Sequence, residues 1–311
     1  MAFDLVTVGV VCADVMVRPI EAMPERGKLI LVPHLEMHLG GLAGVTAAVF
    51  SQLGGKSAFI GKLGTDAFGD YLLSFLNGAG VDTHGVGRDA ACNTSATVVL
   101  ISGDGERSFL HHMGTNAITQ EDDLDFEVIA KSKVLHWGGP AITPKLDGAP
   151  MGRVFAKAKA LGVKTSMDTC YDGTNTWMPL IEPSLPHLDI VFSSYEEACK
   201  YTGEKEPEAI ADFYLARGPE IAVIKLGAEG LLAKSKTGQC RIPAHKVAVV
   251  DTTGAGDASC GGFLYGYLQG WPLEKCARLA NAVGGLTVQH MGGAEAIASL
   301  EKTLAFMETL G

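Results

Sequence analysis

No two of the seven cysteines (12, 92, 170, 199, 240, 260 and 276) have C-x-x-C spacing, and their number is odd. That pattern excludes a zinc ribbon and a disulfide framework, and it suits a reducing compartment. Positive charge is scarce too. The 25 lysines and arginines face 35 aspartates and glutamates, a formal net charge of −10. No basic surface therefore offsets phosphate repulsion, so neither nucleic acid nor an anionic membrane is expected as a partner. No apolar run approaches the ~20 residues that span a bilayer. The opening MAFDLVTVGVVCAD lacks a basic leader and carries Asp4 and Asp14, which reads as a first strand and not a signal peptide. A soluble, cytoplasmic protein is the expectation.

Several chemical fingerprints are missing as well. GGKS at 54–57 ends like a phosphate-binding P-loop, but the first glycine of that motif would fall on Phe50. Gly54 is better read as the left-handed end of a helix. The first strand runs into GVVCAD, without the G-x-G-x-x-G of a dinucleotide site. There is no H-E-x-x-H and no G-x-S-x-G. His111 and His112 are neighbours on a strand and so point to opposite faces. One lines a cleft while the other packs, and we assign His112 to the cleft.

What the chain does have is alternation. Near-continuous apolar runs at 4–11, 56–61, 133–139, 163–168, 188–194 and 221–227 read as buried parallel strands. Amphipathic segments at 41–53, 66–78, 150–161, 195–201, 206–217, 257–269 and 273–290 read as helices between them. The pattern predicts a single α/β domain over 1–311, with a mostly parallel central sheet flanked by helices in three layers. Two stretches break the rhythm, at about 14–39 and 93–114, with strand-like alternation and a Gly103-Asp104-Gly105 turn signal in the second. They predict a small β-sheet lid beside the main layer. Its exposed strands would seek a partner, so a homodimer through the lid is expected.

The most informative segment is DTTGAGDASCGGF, Asp251 to Phe263. A helix start carries unpaired N–H groups and about half a positive charge. Glycines at 254 and 256 let the amides of 254–257 close around an anion. Asp257 faces the same pocket, where its charge would repel that anion. Phosphoryl transfer reconciles the two, because amides stabilise the migrating group while a carboxylate takes the acceptor's proton. The plain alternative is an Asp cap after a glycine turn.

This segment closely resembles the signature of the ribokinase-like (PfkB) carbohydrate kinases. So does GGLAGVTAAVFSQLGGKSAFIGKLGTDAFGDYLLSFLNGAGVDT (40–83), and further matches follow in order: HHMGTNAIT (111–119), DIVFSSYEEACKYTG (189–203), VIKLGAEG (223–230) and LANAVGG (279–285). The resemblance spans essentially the whole chain and implies the ribokinase-like fold. It implies Asp257 as catalytic base and Gly254, Ala255 and Gly256 as anion hole. Asp14, Gly40, Gly41 and the position of Val45 fall where the family grips its sugar. Lys225 and Gly227 fall beside the nucleotide phosphates, with an exposed strand-end lysine as the plain alternative. Asn281 lies on the helix expected to wall the adenine. Glu197 matches a glutamate of the magnesium network, unless it merely caps a helix. Asp251 and Thr253 match a loop that binds potassium in many members. ATP and Mg2+, with K+ in some relatives, are the implied cofactors.

The sequence also departs from the family. Val45 stands in place of the usual asparagine, Ser194 in place of the N-x-x-E asparagine, and DTCYD (168–172) in place of D-P-N-x-R. Each lost partner leaves a substrate hydroxyl unpaired, at roughly 1–3 kcal/mol. Asp172 replaces an arginine with which some relatives hold acidic sugars. The expectation is therefore a kinase for a neutral sugar or polyol, with a nucleoside kinase and a non-catalytic sugar or nucleotide sensor as alternatives. Trp177, Phe109, Met113 and Tyr171 could stack on a base or sugar, or simply pack.

Overall fold

A computed structural model describes residues 2–103 and 106–309. The strands in the first third are β1 (Leu5–Gly9), β2 (Cys12–Arg18), β3 (His34–Gly40), β4 (Ser57–Gly64), β5 (Val86–Asp89), β6 (Ala96–Ile101) and β7 (Arg107–His112). Then follow β8 (Val134–Gly138), β9 (Lys164–Asp168), β10 (Ile190–Ser194), β11 (Ile221–Lys225), β12 (Leu231–Ser235) and β13 (Gly238–Ile242). The helices are α1 (Leu42–Gln52), α2 (Ala67–Gly78), α3 (Phe126–Ile129), α4 (Ala149–Ala160) and α5 (Met178–Ile181). They continue with α6 (Tyr195–Thr202), α7 (Pro207–Leu215), α8 (Ala255–Leu268), α9 (Leu273–Thr287) and α10 (Leu300–Met307). No helix among the described residues is long and apolar enough to cross a membrane.

Nine strands form one sheet in the order β13-β12-β11-β10-β9-β8-β1-β4-β5. It is parallel except at the β11–β12–β13 edge, where the pairing is antiparallel. Alternate side chains feed two cores, as apolar strands covered on both faces must. Leu5, Phe59, Val134 and Phe192 pack against α1, α8 and α9, while Val6, Ile60, Leu135 and Val191 pack against α4, α6 and α7. The apolar runs and helix-length segments thus land on strands and helices in the three-layer order expected.

The second sheet has the order β3-β2-β6-β7. Its strands come from the two stretches that broke the sequence rhythm. Asp104 and Gly105 of the expected turn lie outside the described residues, and the flanking β6 and β7 pair antiparallel. The apolar run at 4–11 is not one strand. It breaks at Gly9, which has φ +124°, and a side chain there would meet the Gly138 carbonyl oxygen at 2.2 Å. The chain therefore crosses between sheets at Val10 and Val11, and Asp14 sits inside β2 instead of just past a strand end. The short, largely polar strands β5 and β13 carry no apolar run by which the sequence could mark them.

Candidate active site

The Thr-Gly-Ala-Gly turn starts α8 two residues earlier than expected. Gly254 is its N-cap, left-handed at φ 72°, so Asp257 is the third helical residue and caps nothing. A side chain on Gly254 would stand 2.5 Å from the Gly293 Cα, so this turn tolerates only glycine against that neighbour. Among the described residues the amides of Gly254, Gly256 and Asp257 find no acceptor, and Ala255 makes only a long 3.4 Å bond to the Thr252 carbonyl. Free donors at the positive end of a 14-residue helix form an anion cradle.

Beside that cradle stands Lys225, neither exposed nor free. Its ammonium donates to both carboxylate oxygens of Asp168, at 2.7 and 2.8 Å. A Cβ on Gly256 would lie 3.1 Å from its Nζ, which places this charge against the turn. Burial works against the ammonium, but Asp168, with Asp257 and Glu197 adding to it, outweighs burial and holds the Lys225 pKa well above the usual lysine range. The Cys260 thiol, one turn along α8 from Asp257, donates to Asp168 at 3.3 Å. Burial, reinforced by Asp168 and opposed by Lys225, pushes the Asp257 carboxyl up to about 8. The same group senses Glu197 on one side and Asp14 on the other.

Glu197 does cap its helix. Ser194 is the N-cap of α6, accepting from the Glu197 amide, while Glu197 accepts from the Ser194 amide at 3.4 Å and the Thr169 hydroxyl at 2.9 Å. Serine in place of asparagine keeps that cap intact. Burial raises the Glu197 carboxyl, with Lys225 opposing.

On the far side of Asp257, strand pairing sets four polar residues in one row across the second sheet. Asp14 lies opposite His38 and Thr97, and Thr97 lies opposite His111. The Cys12 thiol donates to Asp14 at 3.2 Å, and burial lifts the Asp14 carboxyl to about 6 despite hydrogen bonds from Cys12 and Thr97. Thr97 also meets His111 Nδ1 at 3.1 Å. The histidine on the Asp14 face is thus His111 rather than His112, and both are exposed, so neither packs as expected. Gly40 serves Asp14 directly, since a Cβ there would fall 2.1 Å from its Oδ2. Gly41, at φ +89°, turns the chain beneath the Val10 carbonyl. Val45 is 0% exposed, and its methyls lie 3.1 Å from a Cβ position on Gly293. It therefore supports the loop behind the cradle and offers substrate no surface.

Two segments flank the cradle. Asp251 accepts from the Thr253 amide and hydroxyl at 2.9 and 2.8 Å, and from the Gly292 amide at 3.3 Å. Arg107, on the outer strand β7, donates to the Thr253 hydroxyl at 3.1 Å. Nothing in the sequence marked Arg107, because its target lies 146 residues away. Of the residues that the resemblance assigns to nucleotide, Asn281 donates to the Pro243 carbonyl at 2.9 Å, and Gly227 opens on free space after β11. A cleft of about 360 Å³ beside them is lined by Pro243, His245, Val247 and Phe306. Asp172 is spent within its own loop, accepting from the Thr174, Thr176 and Trp177 amides and the Thr174 hydroxyl. Trp177 packs edge-on between Tyr171 and Tyr201, which favours its packing role.

No group of three or more His, Cys, Asp or Glu among the described residues could hold a metal ion by itself. A magnesium ion here would need phosphate and water as its main ligands, a usual arrangement for Mg2+.

The model of the pfkB family of carbohydrate kinases matches residues 5–300. Among curated relatives, "Probable fructokinase-6, chloroplastic" of Arabidopsis thaliana is 32% identical over 94% of this chain and 80% of its own length. Fructokinase-1 of Oryza sativa subsp. japonica is 30% identical over 87% of this chain and 88% of its own. Among solved structures, Arabidopsis thaliana ribokinase complexed with ribose and ATP superposes with a TM-score of 0.85 at 27% identity, covering 99% of both chains.

Proposed function

This chain belongs to the pfkB family of carbohydrate kinases and is an ATP-dependent phosphotransferase acting on a sugar hydroxyl, and on that premise we propose that it phosphorylates a small neutral sugar through Asp257. The observation that carries this reading is the set of unpaired amides at Gly254, Gly256 and Asp257, with the Asp257 carboxyl between Lys225 and Asp14. The sugar lies against Asp14, Thr97 and His111, between the second sheet and the carboxyl ends of the parallel strands. Three carboxylates near this site (Asp14, Asp168 and Glu197) and the internally satisfied Asp172 disfavour an anionic sugar. The nucleotide lies along Gly227, Asn281 and the 243–247 cleft, with its terminal phosphate on the amides.

In the reaction, ionised Asp257 takes the proton of the acceptor hydroxyl as that oxygen forms a bond to the γ-phosphorus. The bond from phosphorus to the β,γ-bridging oxygen breaks, and ADP leaves. The amides of 254–257 hold charge developing on the equatorial oxygens, and Lys225 and Arg107 add positive charge on either side. The second sheet acts as a lid over 14–39 and 93–114, whose closure excludes water and limits ATP hydrolysis.

Glu197 is the carboxylate placed to steady a magnesium ion, which would neutralise the triphosphate. Asp251 is buried, with no cationic partner bonded to it among the described residues. With Thr253 it suits a monovalent cation, and comparing rates in potassium and choline chloride tests that. The exposed Met23, Leu29, Leu31, Leu35 and Leu110 lie on the second sheet and its long connection. With the open edges of β3 and β7 they favour a second copy of this chain as partner, tested by sedimentation at rising concentration. A cytoplasmic location is tested by cell fractionation.

The central experiment incubates the protein with ATP, Mg2+ and single sugars, fructose and ribose first, then polyols and nucleosides, and follows ADP release. Turnover on a neutral sugar is expected. Turnover on nucleosides alone, or none at all, overturns the reading.

A further inference from the structure

Each outer strand of the second sheet sends one side chain to a segment that adjoins the 254–257 turn. On β7, Arg107 bonds to Thr253, one residue before Gly254. On β3, His38 Nδ1 bonds to Glu295 Oε1 at 2.8 Å, while its Nε2 faces Glu36 at 3.2 Å. Glu295 does not dangle from the core. Its other oxygen accepts from the Ala294 amide at 2.9 Å, and a Cβ on Gly292 would stand 2.4 Å from it. The carboxylate is thus folded back onto the 292–294 arm. That arm is tied to the cradle twice, through the Gly292 amide on Asp251 and through Gly293 against Gly254. Gln52 of α1 holds its far side, donating to the Ala294 carbonyl at 2.8 Å.

We propose that His38 is a positioning residue for phosphoryl transfer: through Glu295 it seats the 292–294 arm, and with it Gly254, so that the amides are aimed only when the second sheet is down. The proposal rests on the kinase reading above. Its value to a kinase is direct, because an open lid then leaves the anion cradle loose and ATP hydrolysis slow. Both imidazole nitrogens face carboxylates, so His38 contributes as a cation. Glu295, with Glu36 adding to it, raises its pKa against the opposing effect of burial. The other titratable groups facing it are Asp14 on β2 and, through Glu295, Tyr71 on α2. Tyr71 is pushed by burial up to about 12 and stays neutral, and Asp14 ionises near 6. The bridge is therefore present below the raised His38 pKa and lost as pH rises through it.

The test uses the full chain, wild type and His38→Ala, Glu295→Gln and the double variant, with hydrogen exchange at the bonded amides of Thr253, Ala258 and Gly292 measured without sugar or nucleotide. Each single variant is expected to lose roughly 5–150-fold in kcat, with the KM for sugar little changed. The double variant should be no worse than either single one, because both remove the same contact. The bonded amides of Thr253, Ala258 and Gly292 should exchange faster, the alkaline fall in wild-type rate should vanish in His38→Ala, and His38→Lys should restore part of the rate. Should His38→Ala fail to fold, Glu295→Gln, which keeps the volume, is read alone. Additive losses, or unchanged kcat together with unchanged exchange, overturn the coupling while wild-type turnover upholds the kinase. Faster exchange in the variants of a protein that phosphorylates no sugar upholds the coupling and removes the kinase reading.

Discussion

Lys225 and Asp168 meet across β10, each at the carboxyl end of its own parallel strand, and Asp168 is wholly buried. The Cys260 thiol joins them from α8, so one pair pins that helix to two strands. An ammonium that looks like a free strand-end charge in the sequence is instead a fixed charge beside the cradle. Removing Asp168 would leave that charge buried and unpaired. Asp168→Ala should cost about 3–5 kcal/mol of stability in urea unfolding, and Lys225→Met in the same background should recover part of it. Equal stability of Asp168→Ala and wild type would refute the pairing.

Asp257→Asn should fold normally and lose on the order of 10²–10⁴ in turnover, as removal of a general base does. It should also reverse a pH effect. A carboxyl whose folded pKa lies above its unfolded value stabilises the fold fully below the unfolded value, and that contribution is lost as pH rises through the folded one. For Asp257 the window runs from the ordinary aspartate value of 3.8 to about 8. Above pH 8 Asp257→Asn should therefore melt higher than wild type, and near pH 4 the two should converge. Thermal melts across that range decide it, and a variant that melts lower at pH 9 contradicts the assignment.

Wild-type activity should move the opposite way. Asp257 must be ionised to accept a proton, so kcat/KM for the sugar should rise with pH toward about 8 in the ligand-free protein. A flat profile from pH 6 to 8 in His38→Ala, where the histidine contribution is absent, would argue against Asp257 as the base.

Arg107→Ala removes the guanidinium that reaches Thr253 from the second sheet. A loss of roughly 10²-fold in kcat is expected, the scale of deleting one charge-stabilising donor, with lysine restoring part of it. Wild-type kcat in the alanine variant would confine Arg107 to a surface role.

Val45→Asn restores the residue that the family resemblance leads one to expect, yet it should not improve sugar binding. The side chain is fully buried beneath Gly293, so an amide there would lack partners and cost roughly 1–3 kcal/mol. A lower KM for sugar with unchanged stability would show that position 45 does reach the substrate.

The sequence alone determined the layers and the cradle. Apolar runs such as 188–194 and 221–227 can be buried only on both faces of a parallel sheet. Thr-Gly-Ala-Gly-Asp before an apolar helix sets the amides of a helix start next to a carboxylate, and the structure made Gly254 and not Asp257 the cap. These are local consequences, carried by neighbours in the chain. Pairings at long range were left to the tertiary structure: Lys225 with Asp168, Arg107 with Thr253, His38 with Glu295, and the register that puts His111 and not His112 beside Thr97. A charged side chain carries no mark of which opposite charge it will meet. Strand register and sheet crossing decide that, and a shift of one residue would turn the strand-borne members of these pairs to the other face.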